Sequence, residues 1–199
     1  MQGKICLGGT FNPIHFGHLL CARAAAEAAG AASVVLFPTG SPAHKPKDVD
    51  IAPAQARLEM CRLAVAGIAG FEVDDRETRR SGTTFTIDTV RELKSEGWNP
   101  VTWLIGADML NILPTWREAE SLINEARFLI MGRPGADLAW STLPPAYQFL
   151  RKNVVEVPQI EISATDIRRR VRSSLPIDFL TPPAVCRYIA EHRLYQSKP

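Results

Sequence analysis

Apolar residues fall in two spacings along this chain. Short continuous runs occupy residues 4–8, 33–37, 101–105, 128–131 and 154–157, with a weaker one at 71–73. Runs of that length, rich in Val, Ile, Leu and Phe and closed by Gly or Pro, predict buried strands. Between them apolar positions recur three and four apart, as in Leu58, Cys61, Val65 and Ile68, which predicts helices. Helices are expected over residues 18–29, 57–68, 85–94, in pieces across 107–124, and over 163–172 and 183–193. Repeated strand–helix units imply a parallel sheet with helices on both faces. The proline-rich stretches 38–53 and 134–145 read as surface loops. In such sheets ligands bind where loops leave the carboxyl ends of strands.

The bulk properties narrow the field. The 199 residues are 46% hydrophobic and 22% charged, with a formal net charge of +2. This balance suits a globular fold and argues against a nucleic-acid coat or a polybasic membrane patch. Cys6, Cys21, Cys61 and Cys186 lack C-x-x-C or metal-ligand spacing and are read as reduced, packed thiols. No apolar run nears the ~20 residues that span a bilayer. Residues 1–10 enter a strand and glycine turn directly, so a cytoplasmic location is expected.

Chemistry concentrates in the first strand-end loop, Gly8-Gly9-Thr10-Phe11-Asn12-Pro13-Ile14-His15-Phe16-Gly17-His18. The paired glycines let backbone N–H groups approach a ligand. His15 and His18, three apart at a helix entry, can face one side at its positive end. An anion there meets amide donors, a helix dipole and two imidazoles together. Phosphoryl or nucleotidyl transfer needs this, because two phosphates must be brought together against their repulsion. Other uses stay open. The loop is not G-x-G-x-x-G, the histidines could ligate zinc but lack a nearby third partner, or they could only cap and pack.

A second anion site is suggested by Ile162-Ser163-Ala164-Thr165-Asp166-Ile167-Arg168. Ser163 followed by Asp166 is a capping-box-like helix start. Ile167 and Val171 would face the core, leaving Thr165, Arg168 and Arg172 on another face. The plain alternative is a capped surface helix with a solvated basic side.

The first loop resembles the H-x-G-H signature of the nucleotidyltransferase superfamily, in the long form seen in bacterial nicotinate-mononucleotide adenylyltransferases. The resemblance extends from Lys4 to Tyr195. It implies a Rossmann-like α/β fold, with residues 1–160 as core and 161–199 as a small C-terminal helical part of one domain. It implies that Gly8, Gly9, Thr10 and Phe11 line the ATP phosphates beside the catalytic His15 and His18. The second segment is similar to the family's I-S-[ST]-T-x-[IL]-R, whose serine, threonine and arginine hold ATP phosphates: here Ser163, Thr165 and Arg168, the last also counted as catalytic.

Pro42-Ala43-His44-Lys45 resembles P-P-H-K, which makes Lys45 a phosphate ligand and His44 an acceptor-side residue. Gly106-Ala107-Asp108 resembles the G-A-D whose acid holds a ribose hydroxyl. Trp116 matches a tryptophan on which the pyridine ring stacks. Thr84-Phe85-Thr86 is similar to S-Y-T, whose backbone helps bind the nicotinate carboxylate. Arg133 matches an arginine at the nucleotide end and joins the acceptor set. Three departures stand out: Ala43 replaces the second proline, Phe85 replaces tyrosine, and Arg117 stands where a tyrosine often follows the tryptophan.

The implied substrates are ATP and nicotinate mononucleotide, with Mg²⁺ held mainly by ATP and water and no dedicated protein ligands. Neither nucleic acid nor membrane is expected as a partner. The rivals are another H-x-G-H transferase, acting on phosphopantetheine or a sugar-alcohol phosphate, and a catalytically idle nucleotide sensor. Residues 84–86 and Trp116 count against the first, and retention of both histidines and Arg168 against the second.

Overall fold

A computed structural model of the chain describes residues 3–42, 51–132 and 140–196. The elements, in order, are β1 (Lys4–Gly9), α1 (Phe16–Ala28), β2 (Ser33–Pro38), β3 (Ser41–Pro42), α2 (Ala54–Val65), β4 (Phe71–Val73) and α3 (Arg76–Arg79). They continue with β5 (Thr83–Thr84), α4 (Thr86–Ser95), β6 (Thr102–Gly106), α5 (Ala107–Leu110), α6 (Ala119–Glu125), β7 (Arg127–Gly132), β8 (Val154–Glu156), α7 (Ala164–Arg172) and α8 (Pro183–Glu191).

Six strands form one sheet in the order β4-β2-β1-β6-β7-β8, and every pairing in it is parallel. With the short β3 and β5 set aside, this is the 3-2-1-4-5-6 order of a Rossmann-like sheet. The order reverses between β1 and β6, where crossovers leave in opposite directions and open a crevice at the strand carboxyl ends.

Alternation along each strand produces two cores. Ile5, Leu7, Val34, Leu36, Leu104 and Leu129 point to one face, where Ala22 and Ala25 of α1, Met60 of α2, Ile167 of α7 and Val185 of α8 meet them. Cys6, Val35, Phe37, Trp103, Ile105, Phe128 and Ile130 point to the other, beneath Val90 of α4 and Leu122 of α6. All six residues of β2 are buried, as expected for a central strand covered on both faces.

Several boundaries differ from expectation for local reasons. α1 begins at Phe16, two residues before the expected start, because His15 in extended conformation is its N-cap. α2 runs earlier than the 57–68 periodicity suggests. The chain turns at Gly67, with φ +74°, and Ile68 is left exposed. Pro38 closes β2 from inside the strand. Part of the expected 134–145 loop is core: a 3₁₀ turn at Trp140–Thr142 buries Trp140, and Leu143 follows it inward. A further 3₁₀ stretch, Pro145–Asn153, buries Tyr147 and Leu150 at three-residue spacing.

Candidate active site

The first loop leaves β1 at the point where the sheet order reverses. Gly8 has a second use beyond ligand approach: a Cβ there would lie 2.6 Å from the Trp103 ring on β6. The chain then reaches His15 at the head of α1. The His15 backbone N–H donates to Nδ1 of His18 at 3.3 Å, and the two rings stack with centroids 3.6 Å apart and 26° between planes. Phe11 meets His18 edge-on at 5.2 Å. Gly17 is required by this packing, since a Cβ there would come 3.0 Å from His15 Nδ1 and 3.3 Å from the Ile162 carbonyl.

Burial pulls the pKa of His15 from 6.5 down to about 4, so in the free protein at neutral pH its imidazole is uncharged. His18 Nδ1 accepts a backbone proton, so neutral His18 carries its own proton on Nε2 and can donate from there. The pair sits at the start of a 13-residue helix.

The second segment lies against the first loop. Ser163 caps α7, its Oγ accepting the Asp166 N–H at 3.1 Å, while Ser163 and Thr165 stay exposed. Arg168 is only 6% exposed. Its Nη1 donates to the Asn12 carbonyl at 2.8 Å and its Nη2 to Thr165 Oγ1 at 3.3 Å. The solvated basic face that is the plain alternative for this helix does not extend to Arg168, which is a strut joining the two motifs.

Residues that the sequence pattern did not single out hold the loop in shape. Arg57, read as an ordinary helical residue, is 1% exposed. It donates to the carbonyls of Thr10 at 2.7 Å, Gly40 at 2.8 Å and Ala52 at 3.0 Å. Asn12 Oδ1 accepts from the Ala52 N–H and from the Tyr195 hydroxyl. Thr181 Oγ1 donates to the Ile14 carbonyl at 2.7 Å. The available signal was a guanidinium placed beside Leu58 and Cys61 at the start of an apolar helix.

Beside the loop, on the β6 side, opens a cavity of about 300 Å³. That lies at the small end of ligand pockets and suits one ring with a sugar. Gly8, Gly9 and Thr10 form one edge, and Thr84, Phe85 and Thr86 another. Gly106, Trp116 and Arg117 also line it. Phe85 is the N-cap of α4, so Thr86 opens that helix and its N–H has no partner within the helix. The parallel β3–β5 pair, Ser41↔Thr83 and Pro42↔Thr84, holds the Thr84 segment in place, and two residues per strand are too few to show a period.

Asp108, an exposed residue in the first turn of α5, is not itself part of the cavity wall, but its Oδ1 lies against Gly106, which is. The sequence reading also missed Glu77, which lines the cavity, is 3% exposed and accepts from Thr89 Oγ1 at 2.7 Å. Burial pushes its carboxyl up from the usual value. His44, Lys45 and Arg133 lie outside the described residues. Among the described residues no group of three or more His, Cys, Asp or Glu could hold a metal ion, and no helix is long and apolar enough to cross a membrane.

A family described as cytidylyltransferase-like matches residues 6–170. A "probable nicotinate-nucleotide adenylyltransferase" of Symbiobacterium thermophilum is 40% identical over 196 residues, covering 95% of this chain and 93% of that one. A protein of the same description from Herpetosiphon aurantiacus is 40% identical over 199 residues, covering 98% and 99%. The chain belongs to the nicotinate-nucleotide adenylyltransferase family. Members of this family are nucleotidyltransferases, so the crevice at the sheet reversal belongs to an enzyme. The fold is shared with Plasmodium falciparum nicotinic acid mononucleotide adenylyltransferase complexed with NaAD, at a TM-score of 0.75, 20% identity and 97% coverage of each chain. The same Plasmodium enzyme complexed with APC superposes with a TM-score of 0.75 at 18% identity, covering 98% of each.

Proposed function

We propose that this protein transfers the adenylyl group of ATP to nicotinate mononucleotide, releasing pyrophosphate and forming nicotinate adenine dinucleotide, a step of NAD biosynthesis. The observation that carries this reading is adjacency. The stacked His15–His18 pair at the head of α1 lies at the end of the loop whose Gly8–Thr10 segment edges the ring-sized cavity. An acceptor's ring in the cavity would direct its phosphate toward an ATP phosphate at the helix start.

The reaction is a direct in-line displacement. A phosphate oxygen of the mononucleotide attacks the α-phosphorus of ATP, the bond from that phosphorus to the bridging oxygen of pyrophosphate breaks, and no residue is covalently modified. His18 Nε2–H donates to the oxygens on which charge gathers. His15, neutral and packed against it, fixes the ring and its tautomer. Gly8, Gly9, Thr10 and Phe11 bring backbone to the triphosphate, with Ser163, Thr165, Arg168 and Lys45 as its further ligands. Trp116 stacks on the pyridine ring, the N–H groups of Thr86 and Arg117 meet its carboxylate, and Asp108 holds a ribose hydroxyl. Gly106, His44 and Arg133 complete the acceptor side. Magnesium enters with ATP, carried by phosphate oxygens and water.

The test is pyrophosphate release from MgATP with nicotinate mononucleotide, its amide, phosphopantetheine and sugar-alcohol phosphates, with products identified by mass. Turnover confined to phosphopantetheine or a sugar-alcohol phosphate, or none with any acceptor, would refute the proposal.

A further inference from the structure

Two of the positions where this chain departs from the family's S-Y-T and tryptophan–tyrosine pattern, Phe85 and Arg117, meet in space. The Arg117 guanidinium lies over the Phe85 ring, 4.7 Å from its centroid, and both residues line the acceptor cavity. An aromatic face attracts a guanidinium through its quadrupole and limits where it can go. Phe85 has no hydroxyl, so its ring face is what it offers. Phe85 is also the N-cap of α4, so the guanidinium lies over the ring of the residue from which this helix begins.

Among the described residues the ion pair made by that guanidinium is loose. Arg117 Nε is 3.8 Å from Glu118 Oε1, a long contact, whereas Glu118 Oε2 is bound at 2.7 Å by Arg91. A guanidinium and a helix start thus share the lining of a cavity whose buried carboxyl, Glu77, is engaged by Thr89. Such an arrangement is unfavourable alone and favourable with an anion between them.

We infer that Arg117, seated on Phe85, is the residue by which this chain selects a mononucleotide bearing a carboxylate over one bearing a carboxamide. The inference rests on the acceptor reading above and goes past backbone recognition. The pyridine ring of either mononucleotide is a cation. The carboxylate offsets that charge and accepts from the guanidinium. The carboxamide leaves a cationic ring facing a cation and turns an N–H₂ toward donors.

The experiment compares kcat/KM for nicotinate mononucleotide and its amide in wild type, Arg117→Met, Phe85→Leu and the double variant. Direct binding of each mononucleotide is measured by calorimetry without ATP. Arg117→Met should lower kcat/KM for the acid about tenfold, mainly through KM, and leave the amide unchanged or improved. Phe85→Leu should lower the acid-to-amide ratio about threefold, and should not change it in the Arg117→Met background. Trp116→Ala is the contrast: it should weaken both mononucleotides and preserve their ratio. Equal loss for both mononucleotides in Arg117→Met, or an unchanged ratio, overturns the selectivity role while the proposed function stands. An effect of Phe85→Leu that is the same in both backgrounds overturns the pairing. Wild-type protein that binds neither mononucleotide and releases no pyrophosphate with either overturns both proposals.

Discussion

The backbone N–H of His15 donates to Nδ1 of His18 while the two imidazoles stack at 3.6 Å. One residue thus sets the tautomer and the ring plane of the other. The pair is unequal in burial: His15 is buried, and His18 is only partly so.

His18→Ala should lower kcat by about 10²–10³-fold, as loss of one preorganised donor to a transition state does. Circular dichroism should show an intact fold, since His18 is only partly buried. A folded variant with near-wild-type turnover would remove His18 from the mechanism.

His15 ties stability to pH. Its folded-state value of about 4 lies below its ordinary 6.5, so the unfolded chain takes up a proton first as pH falls. The contribution is fully present above about pH 6.5, declines by at most about 1.4 kcal/mol per pH unit for one proton, and levels off below the folded value. Urea denaturation at a series of pH values, in wild type and His15→Gln, isolates it. The two proteins should differ in slope between pH 6.5 and 4, and parallel curves would contradict the assignment.

Arg168→Ala should raise KM for ATP more than for the mononucleotide. It should also destabilise the protein by about 1.5–3 kcal/mol, because the charged bond to the Asn12 carbonyl is lost inside the fold. Varying each substrate in turn, with chemical denaturation alongside, separates the two effects. Equal kinetic loss for both substrates would leave Arg168 as a strut only.

Arg57→Met should destabilise by about 3 kcal/mol or more, since three carbonyls lose their donor at once. Turnover should drop too, because Thr10 lies in the loop that one of those bonds anchors. Measured stability within about 0.5 kcal/mol of wild type would show the carbonyls finding other partners.

Local sequence determined much of this protein. Alternation such as Ile5/Cys6/Leu7 and Val34/Val35/Leu36/Phe37 assigns side chains to the two faces of a covered strand, and that pattern survives wherever the strand is placed. Ser163 carries its own helix start through a bond three residues away. The motifs, lying at strand ends and helix starts, were legible for the same reason: their interactions are short in sequence.

Tertiary structure decided what depends on distant partners. Arg57 looks like a surface helical arginine until the Thr10, Gly40 and Ala52 carbonyls surround it, and Arg168 until Asn12, 156 positions away, accepts its proton. Phe85 and Arg117 are separate departures from a pattern until the crevice sets one upon the other. A charged side chain has several ways to be satisfied, and the sequence near it does not say which. Only the packed chain, which removes water from some of those choices, selects among them.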